Sequence, residues 1–175
     1  MWTIGKSTDY AARILLHLAS LPEGSNVRSG EIVEKRLIPA TLVRRIVSRL
    51  SSAGLLETRR GVGGGIRLAR PAKDITLLDL VEATDGPVVL NCCLDEPETC
   101  PLSAGCPVRT TWGVLSHAFS SLLARVTFAD LALGKEQPVP SLPVLGGLSW
   151  NPDIDGLGAS RSCRFHKQRL DSEEA

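Results

Sequence analysis

Apolar residues recur at helical spacing from about Thr8 to Ser20, where Tyr10, Ala11, Ile14, Leu15 and Leu18 share one face and Ser7 is the candidate cap. A turn at Pro22-Glu23-Gly24-Ser25-Asn26 precedes a short helix from about Ser29 to Arg36, capped by Ser29. Leu37-Ile38-Pro39 breaks the chain, and Pro39 suits the first position of a third helix, where no backbone donor is needed. That helix is predicted over about Ala40 to Ser52. Leu42, Val43, Ile46, Val47 and Leu50 make its buried stripe, and Thr41, Arg44, Arg45, Ser48 and Arg49 lie largely opposite. Gly54 ends it as a left-handed cap. Two short helices joined by a tight turn, the second basic on its outer face, form a helix-turn-helix pattern. Leu55–Arg60, the glycine turn Gly61–Gly65 and Ile66–Arg70 then read as strand, turn and strand, a β-hairpin placed where a wing belongs.

Further along, Thr76 caps a helix from Leu77 to about Thr84, with Asp79 at its third position in a capping-box arrangement. Asp85-Gly86-Pro87 ends it, and a cysteine loop follows from about Asn91 to Pro107. A long helix is predicted from about Val108 to Arg125. Its Trp112, Leu115, Phe119, Leu122 and Val126 are spaced 3, 4, 3 and 4, a seam of the coiled-coil type that suits dimerisation, or else an ordinary core-facing stripe. Thr127–Leu131 reads as a cap and a last turn. The fold class is therefore mainly α with a small β-hairpin wing, an α+β winged helix-turn-helix followed by a long dimerisation helix. The expected division is residues 1–86 for DNA binding, 87–107 for the cysteine loop, 108–133 for the dimerisation helix and 134–175 for a flexible arm rich in proline and glycine.

The 175 residues suffice for one domain with a core, or a small domain plus an arm. The net charge of +1 conceals an asymmetry. From Arg28 to Lys73 there are eleven Lys/Arg against three Asp/Glu, so that block carries +8 and the remainder −7. A basic block coinciding with a helix-turn-helix is an electrostatic footprint for a polyanion. Arg44 and Arg45 sit where such proteins contact bases, and arginine can bridge guanine O6 and N7 with two bonds. Thr41 suits a phosphate or a thymine methyl, and Pro39 and Arg49 complete the contact set on this helix. Arg28, Arg59, Arg60 and Arg67 would neutralise backbone phosphates. The glycine run lacks a Gly-Lys-Ser/Thr ending and lies between strands, so it is not a Walker-type phosphate loop.

No stretch approaches the ~18 to 20 apolar residues of a membrane helix, and Met1–Ser7 lacks the order of a signal peptide. The cytoplasm is the expected compartment. Cysteines stay reduced there, so a cluster of them points to a metal or redox site. Four of the five cysteines fall between Cys92 and Cys106; the fifth, Cys163, lies in the arm. Thiolates favour iron–sulfur clusters and zinc. Structural zinc sites usually pair cysteines two residues apart, and no such pair occurs here. A metal-free thiol switch and inert cysteines are the other readings. His17, His117 and His166 are scattered with no nucleophile or carboxylate pair near them, so nothing supports an enzyme. An iron–sulfur electron carrier would not need the basic helix and wing, and a cluster-free adaptor would not bind DNA in a salt-dependent way.

Several motifs in order carry a resemblance over residues 2 to 133. They are Ser7-Thr8-Asp9-Tyr10-Ala11, then Arg44-x-x-x-Ser48-Arg49-Leu50-x-x-Ala53-Gly54-Leu55, and Arg60-Gly61-Val62-Gly63-Gly64-Gly65-Ile66-x-Leu68-Ala69-Arg70. Ile75-Thr76-Leu77-x-Asp79-Leu80-Val81-Glu82-Ala83, the cysteines, the tryptophan-led helix and Ala129-Asp130-Leu131 follow. The chain resembles the IscR/NsrR-type regulators, a bacterial family of winged-helix repressors and activators. The resemblance implies a homodimer that binds a palindromic operator in double-stranded DNA. It also implies a [2Fe-2S] or [4Fe-4S] iron–sulfur cluster held by three loop cysteines and one further residue, whose loss or change alters DNA affinity. Members of the family respond to nitric oxide, iron supply, cluster demand or redox state. The cysteine ligands carried over are Cys93, Cys100 and Cys106, with Cys92 able to replace Cys93 because the first gap is slightly longer than usual. Where some members carry a ligating histidine, this chain has Arg109, which cannot bind iron. Others use an aspartate at the start of the first helix, donated by the second subunit. Asp9 stands there, as the fourth ligand or simply as a carboxylate favoured by the helix dipole.

Overall fold

The computed structural model describes residues 4–61 and 63–134. The arm from residue 135 onward, with Cys163 and His166, lies outside the described residues, as does Val62 at the wing tip. The described chain runs α1 (Lys6–Ala19), α2 (Ser29–Arg36), α3 (Ala40–Ser52), β1 (Leu56–Arg59), β2 (Gly65–Leu68), α4 (Leu77–Thr84), α5 (Cys92–Asp95), α6 (Pro107–Arg125) and α7 (Phe128–Ala132), with single 3-10 turns at Ala72–Asp74 and Pro97–Thr99. No helix among the described residues is long and apolar enough to cross a membrane.

The helix ends follow local chemistry, with shifts at three places. α1 starts at Lys6 with Gly5 as its N-cap, so Ser7 lies inside the first turn and makes no cap bond. Ser29 is likewise the first helical residue of α2, and the N-cap is Arg28. Pro39 is the N-cap of α3 and not its first helical residue. The capping box at Thr76 forms as the pattern implies: Asp79 N–H donates to Thr76 Oγ1 and the Asp79 carboxylate accepts from Thr76 N–H. Thr127 caps α7 in the same manner through Asp130 N–H.

Two compact units emerge. The first contains the chain up to Asp85 and takes it up again from Leu122; the second contains Gly86–Ser121. The first unit therefore extends beyond the expected boundary at residue 86. Its core joins Ile14 and Leu15 of α1, Ile32 of α2, the α3 stripe Val43, Ile46, Val47 and Leu50, Ile66 of the wing, and Phe128 of α7, which is 1% exposed. α7 is fastened by backbone pairing: Leu77 N–H donates to Val126 O and Phe128 N–H to Ile75 O, each at 2.9 Å. His17 is buried and its Nδ1 accepts from Arg36 Nη2 at 3.2 Å, tying α1 to α2. Burial, and then the Arg36 charge, hold this imidazole below its ordinary pKa, which keeps it neutral.

β1 and β2 pair antiparallel with Leu56 opposite Leu68 and Arg59 opposite Gly65. Val27, in the segment before α2, adds a third crossing by exchanging backbone bonds with Ile66 at 2.8 and 2.9 Å. A Cβ on Gly65 would stand 2.8 Å from Val27 O, and one on Gly64 would stand 2.3 Å from Arg59 O. The wing's turn thus needs glycine at 64 and 65 to let backbones approach.

In the second unit, the predicted cysteine loop contains a turn of helix. Cys92 and Cys93 open α5, Leu94 is its buried anchor, and Pro97 begins the next turn. α6 begins one residue earlier than predicted, at Pro107, and buries only Gly113 and Ser116. Ser116 Oγ accepts from Leu90 N–H at 3.1 Å.

Two stability outcomes follow. Leu37 closes α2 in the left-handed region at φ +52 with 80% of its surface exposed, so its side chain strains the backbone without filling the core. Leu37→Gly should raise unfolding stability by about 1 kcal/mol in urea titration, because glycine adopts this conformation without the Cβ clash. Phe128→Ala should cost about 3 to 5 kcal/mol and destabilise the first unit, although its other buried core residues all lie before residue 86.

Candidate nucleic-acid interface and cysteine segment

α3 is amphipathic, and burying Val43, Ile46, Val47 and Leu50 leaves Thr41, Arg44, Arg45 and Ser48 exposed on its other side. β1 and the turn after it present Arg59 and Arg60, both exposed. Between these elements and the start of α2 lies an open cleft of about 1190 Å³. Arg28, Arg44, Arg59 and Arg60 line it, with Glu34 as an acid at its wall. Arg28, Arg44, Arg45 and Arg60 form no ion pair among the described residues, so their guanidinium groups stand available to an anion. The structure thus gathers four of the sequence-predicted arginines into one concavity.

The remaining predicted residues fall elsewhere. Thr41 and Arg45 are exposed on α3 but outside the cleft lining, and Pro39 serves as the helix cap. Arg67, expected to meet phosphate, is instead engaged across the hairpin by Glu57, with Nε 2.9 Å from Oε2. The pair faces solvent and holds the Glu57 carboxyl below its usual range. Arg49 is also redirected: its Nη1 donates to the Thr84 carbonyl at 2.6 Å. Sequence reading missed the contribution of Ser29 and Gly30 at the start of α2, which line the cleft beside Arg28. Their small size just after an arginine was the available signal.

In the second unit, Cys92, Cys93, Cys100 and Cys106 are free thiols, each partly buried. Cys93 and Cys92 are successive residues of α5 and so diverge by about 100° around its axis. Burial pushes the Cys93 thiol up, the neighbouring Cys100 and Cys106 push it further, and Arg109 opposes them. Cys93 is therefore within electrostatic reach of Cys100 and of Cys106. Arg109 Nε donates to Cys93 O at 2.8 Å, which fastens α5 to α6. Among the described residues no three His, Cys, Asp or Glu side chains are grouped as ligands of a single metal ion. Asp9, in the first turn of α1, is half exposed and pairs with Arg13 at 2.7 Å.

Comparison with known proteins agrees with this architecture. The chain is 35% identical over 144 residues to protein aau3 of Rhizobium meliloti (strain 1021), covering 77% of this chain and 93% of that one. It superposes on CymR (YrzC), the global cysteine regulator of B. subtilis, with a TM-score of 0.64 at 24% identity, covering 78% of this chain and all of the other. T. potens IscR gives a TM-score of 0.61 at 20% identity, over 77% of this chain and 89% of that one. At these identities the two structures speak for the fold alone, a winged helix. Residues 4–133 match the family model described as Rrf2, iron-dependent transcriptional regulator. The chain belongs to the Rrf2 family, whose members regulate transcription and are not enzymes.

Proposed function

We propose that this regulator binds a palindromic operator as a homodimer and senses redox state, nitric oxide or iron status through an iron–sulfur cluster held by Cys93, Cys100 and Cys106. The observation that carries the sensing half is the placement of these three partly buried free thiols in one short segment of the second unit. Thiolates are the donors that an iron–sulfur centre takes. Three cysteine sulfurs, each partly buried, are the donor type that group takes, while among the described residues they are not gathered around one point; Leu94 and the Arg109 bond to the Cys93 carbonyl hold the segment that carries Cys93. A bound cluster would supply a centre that changes charge and bonding with oxidant, nitric oxide or iron supply. Arg109 cannot act as a ligand, so the fourth position falls to Asp9, supplied by the second subunit. Among the described residues its ion-pair partner is Arg13, one helical turn away at an exposed site, where such a pair is weak and readily exchanged.

DNA reading belongs to α3. Arg44 and Arg45 are the base-contacting side chains, with Thr41 and Pro39 at the helix start. Arg28, Arg59 and Arg60 neutralise phosphates along the cleft. Dimerisation uses α6, which leaves Val108, Trp112 and Leu115 exposed at 56%, 37% and 36% in the single chain. Two α3 helices must stand about 34 Å apart to read both halves of a palindrome. A second reading, a cluster-free thiol sensor, is favoured by one observation: among the described residues no three His, Cys, Asp or Glu side chains are grouped to hold a metal ion.

Anaerobic purification followed by a visible spectrum and iron and acid-labile sulfide analysis separates the two. Colour with both elements, lost in Cys93→Ala and Cys106→Ala, is the expected result. Colourless protein lacking both after reconstitution would replace the cluster with thiol chemistry. For the DNA half, Arg44→Ala and Arg45→Ala should each relax sequence preference at a cost of about 1 to 3 kcal/mol in binding titrations. Intact preference in both would remove α3 from the groove.

A further inference from the structure

Arg49 shares α3 with Arg44 and Arg45, yet it is absent from the cleft lining and bonded to protein. Its acceptor, the Thr84 carbonyl, belongs to the last residue of α4 and is among the carbonyls that a helix end leaves without a donor. A guanidinium there also meets the negative end of the α4 dipole. Thr84 is buried and is held from the other side. Its Oγ1 lies 2.9 Å from Thr8 Oγ1, and Thr8, 2% exposed, donates to Asp85 Oδ2 at 2.7 Å. Two consecutive residues, Thr84 and Asp85, thus anchor α3 through Arg49 and α1 through Thr8. The next residue, Gly86, opens the second unit.

The geometry matters because base reading tolerates little error. Side-chain tips lie about 6 Å from a helix axis, so a rotation of about 10° moves them by about 1 Å. That displacement takes a two-bond arginine–guanine contact out of range. The apolar stripe of α3 fixes which face is buried but permits small rotations. A bond of 2.6 Å from its last turn to another helix does not.

We infer that Arg49 is a positioning residue for DNA reading: through the Thr84–Asp85 pair and Thr8 it sets the rotation of α3, and it makes no phosphate contact of its own. This rests on α3 being the recognition helix, which Arg44→Ala tests separately.

The test uses the full chain, a duplex enriched by it from a random-sequence pool, and an unrelated duplex, titrated over a range of salt. Arg49→Gln and Thr8→Val should each lower affinity for the enriched duplex about tenfold. Affinity for the unrelated duplex and the slope of log K against log salt should stay as in the unaltered chain. Thr8→Ser, which keeps the hydroxyl, should behave as the unaltered protein. Thr8 is buried away from any DNA surface, so a loss there has no contact explanation. If Arg49→Gln does not fold, Thr8→Val against Thr8→Ser carries the test alone. A salt slope reduced by about one in Arg49→Gln would make Arg49 a phosphate contact and overturn the inference. Undiminished preference for the enriched duplex in both Arg49→Gln and Thr8→Val would overturn it equally.

Discussion

Burial of four residues on one face of α3, Val43, Ile46, Val47 and Leu50, is the constraint on which the remaining architecture depends. Each is worth about 1.5 to 3 kcal/mol when removed from water. A helix held by that face must turn its opposite face outward, and here that face is cationic. α1, α2 and the wing then act as supports. α1 and α2 wall the core behind α3, and Val27 and Ile66 hold the hairpin so that Arg59 and Arg60 share a cleft with Arg44. The concentration of like charge in that cleft is costly for the isolated protein and favourable only against a polyanion.

The parts legible in the sequence are those governed by neighbours within a few residues. The Thr76–Asp79 box, the Thr127 cap, the α3 stripe and the hairpin all follow from spacings of two, three or four. Long-range choices were not legible. Arg49 has the same local context as Arg45, and only the arrival of the α4 C-terminus 35 residues later separates their roles. Arg67 looked like a phosphate contact until strand register placed it opposite Glu57. Gly64 and Gly65 could be read as turn formers, but their particular reason is the passage of Arg59 and Val27 backbones against them.

The cysteine segment shows the same division. The family resemblance points to Cys93, Cys100 and Cys106 and leaves Cys92 as a substitute for Cys93, and the short α5 helix separates these two by about 100°. What spacing could not supply is Arg109. As a would-be ligand position it is a departure from relatives; in the fold it becomes a strut between α6 and the Cys93 carbonyl. Its charge also opposes the upward push that burial and the neighbouring cysteines exert on the Cys93 thiol.

The return of the chain to the first unit at Leu122 has a consequence for synthesis. Phe128 and the backbone pairs at Ile75 and Leu77 close a core whose other members all lie before residue 86. On a ribosome, every cysteine from Cys92 to Cys106 is made before the residue that seals that core. The DNA-binding unit therefore cannot mature ahead of the cysteine segment inserted within it. A nascent chain whose first core is sealed is one whose cysteine segment has already been translated.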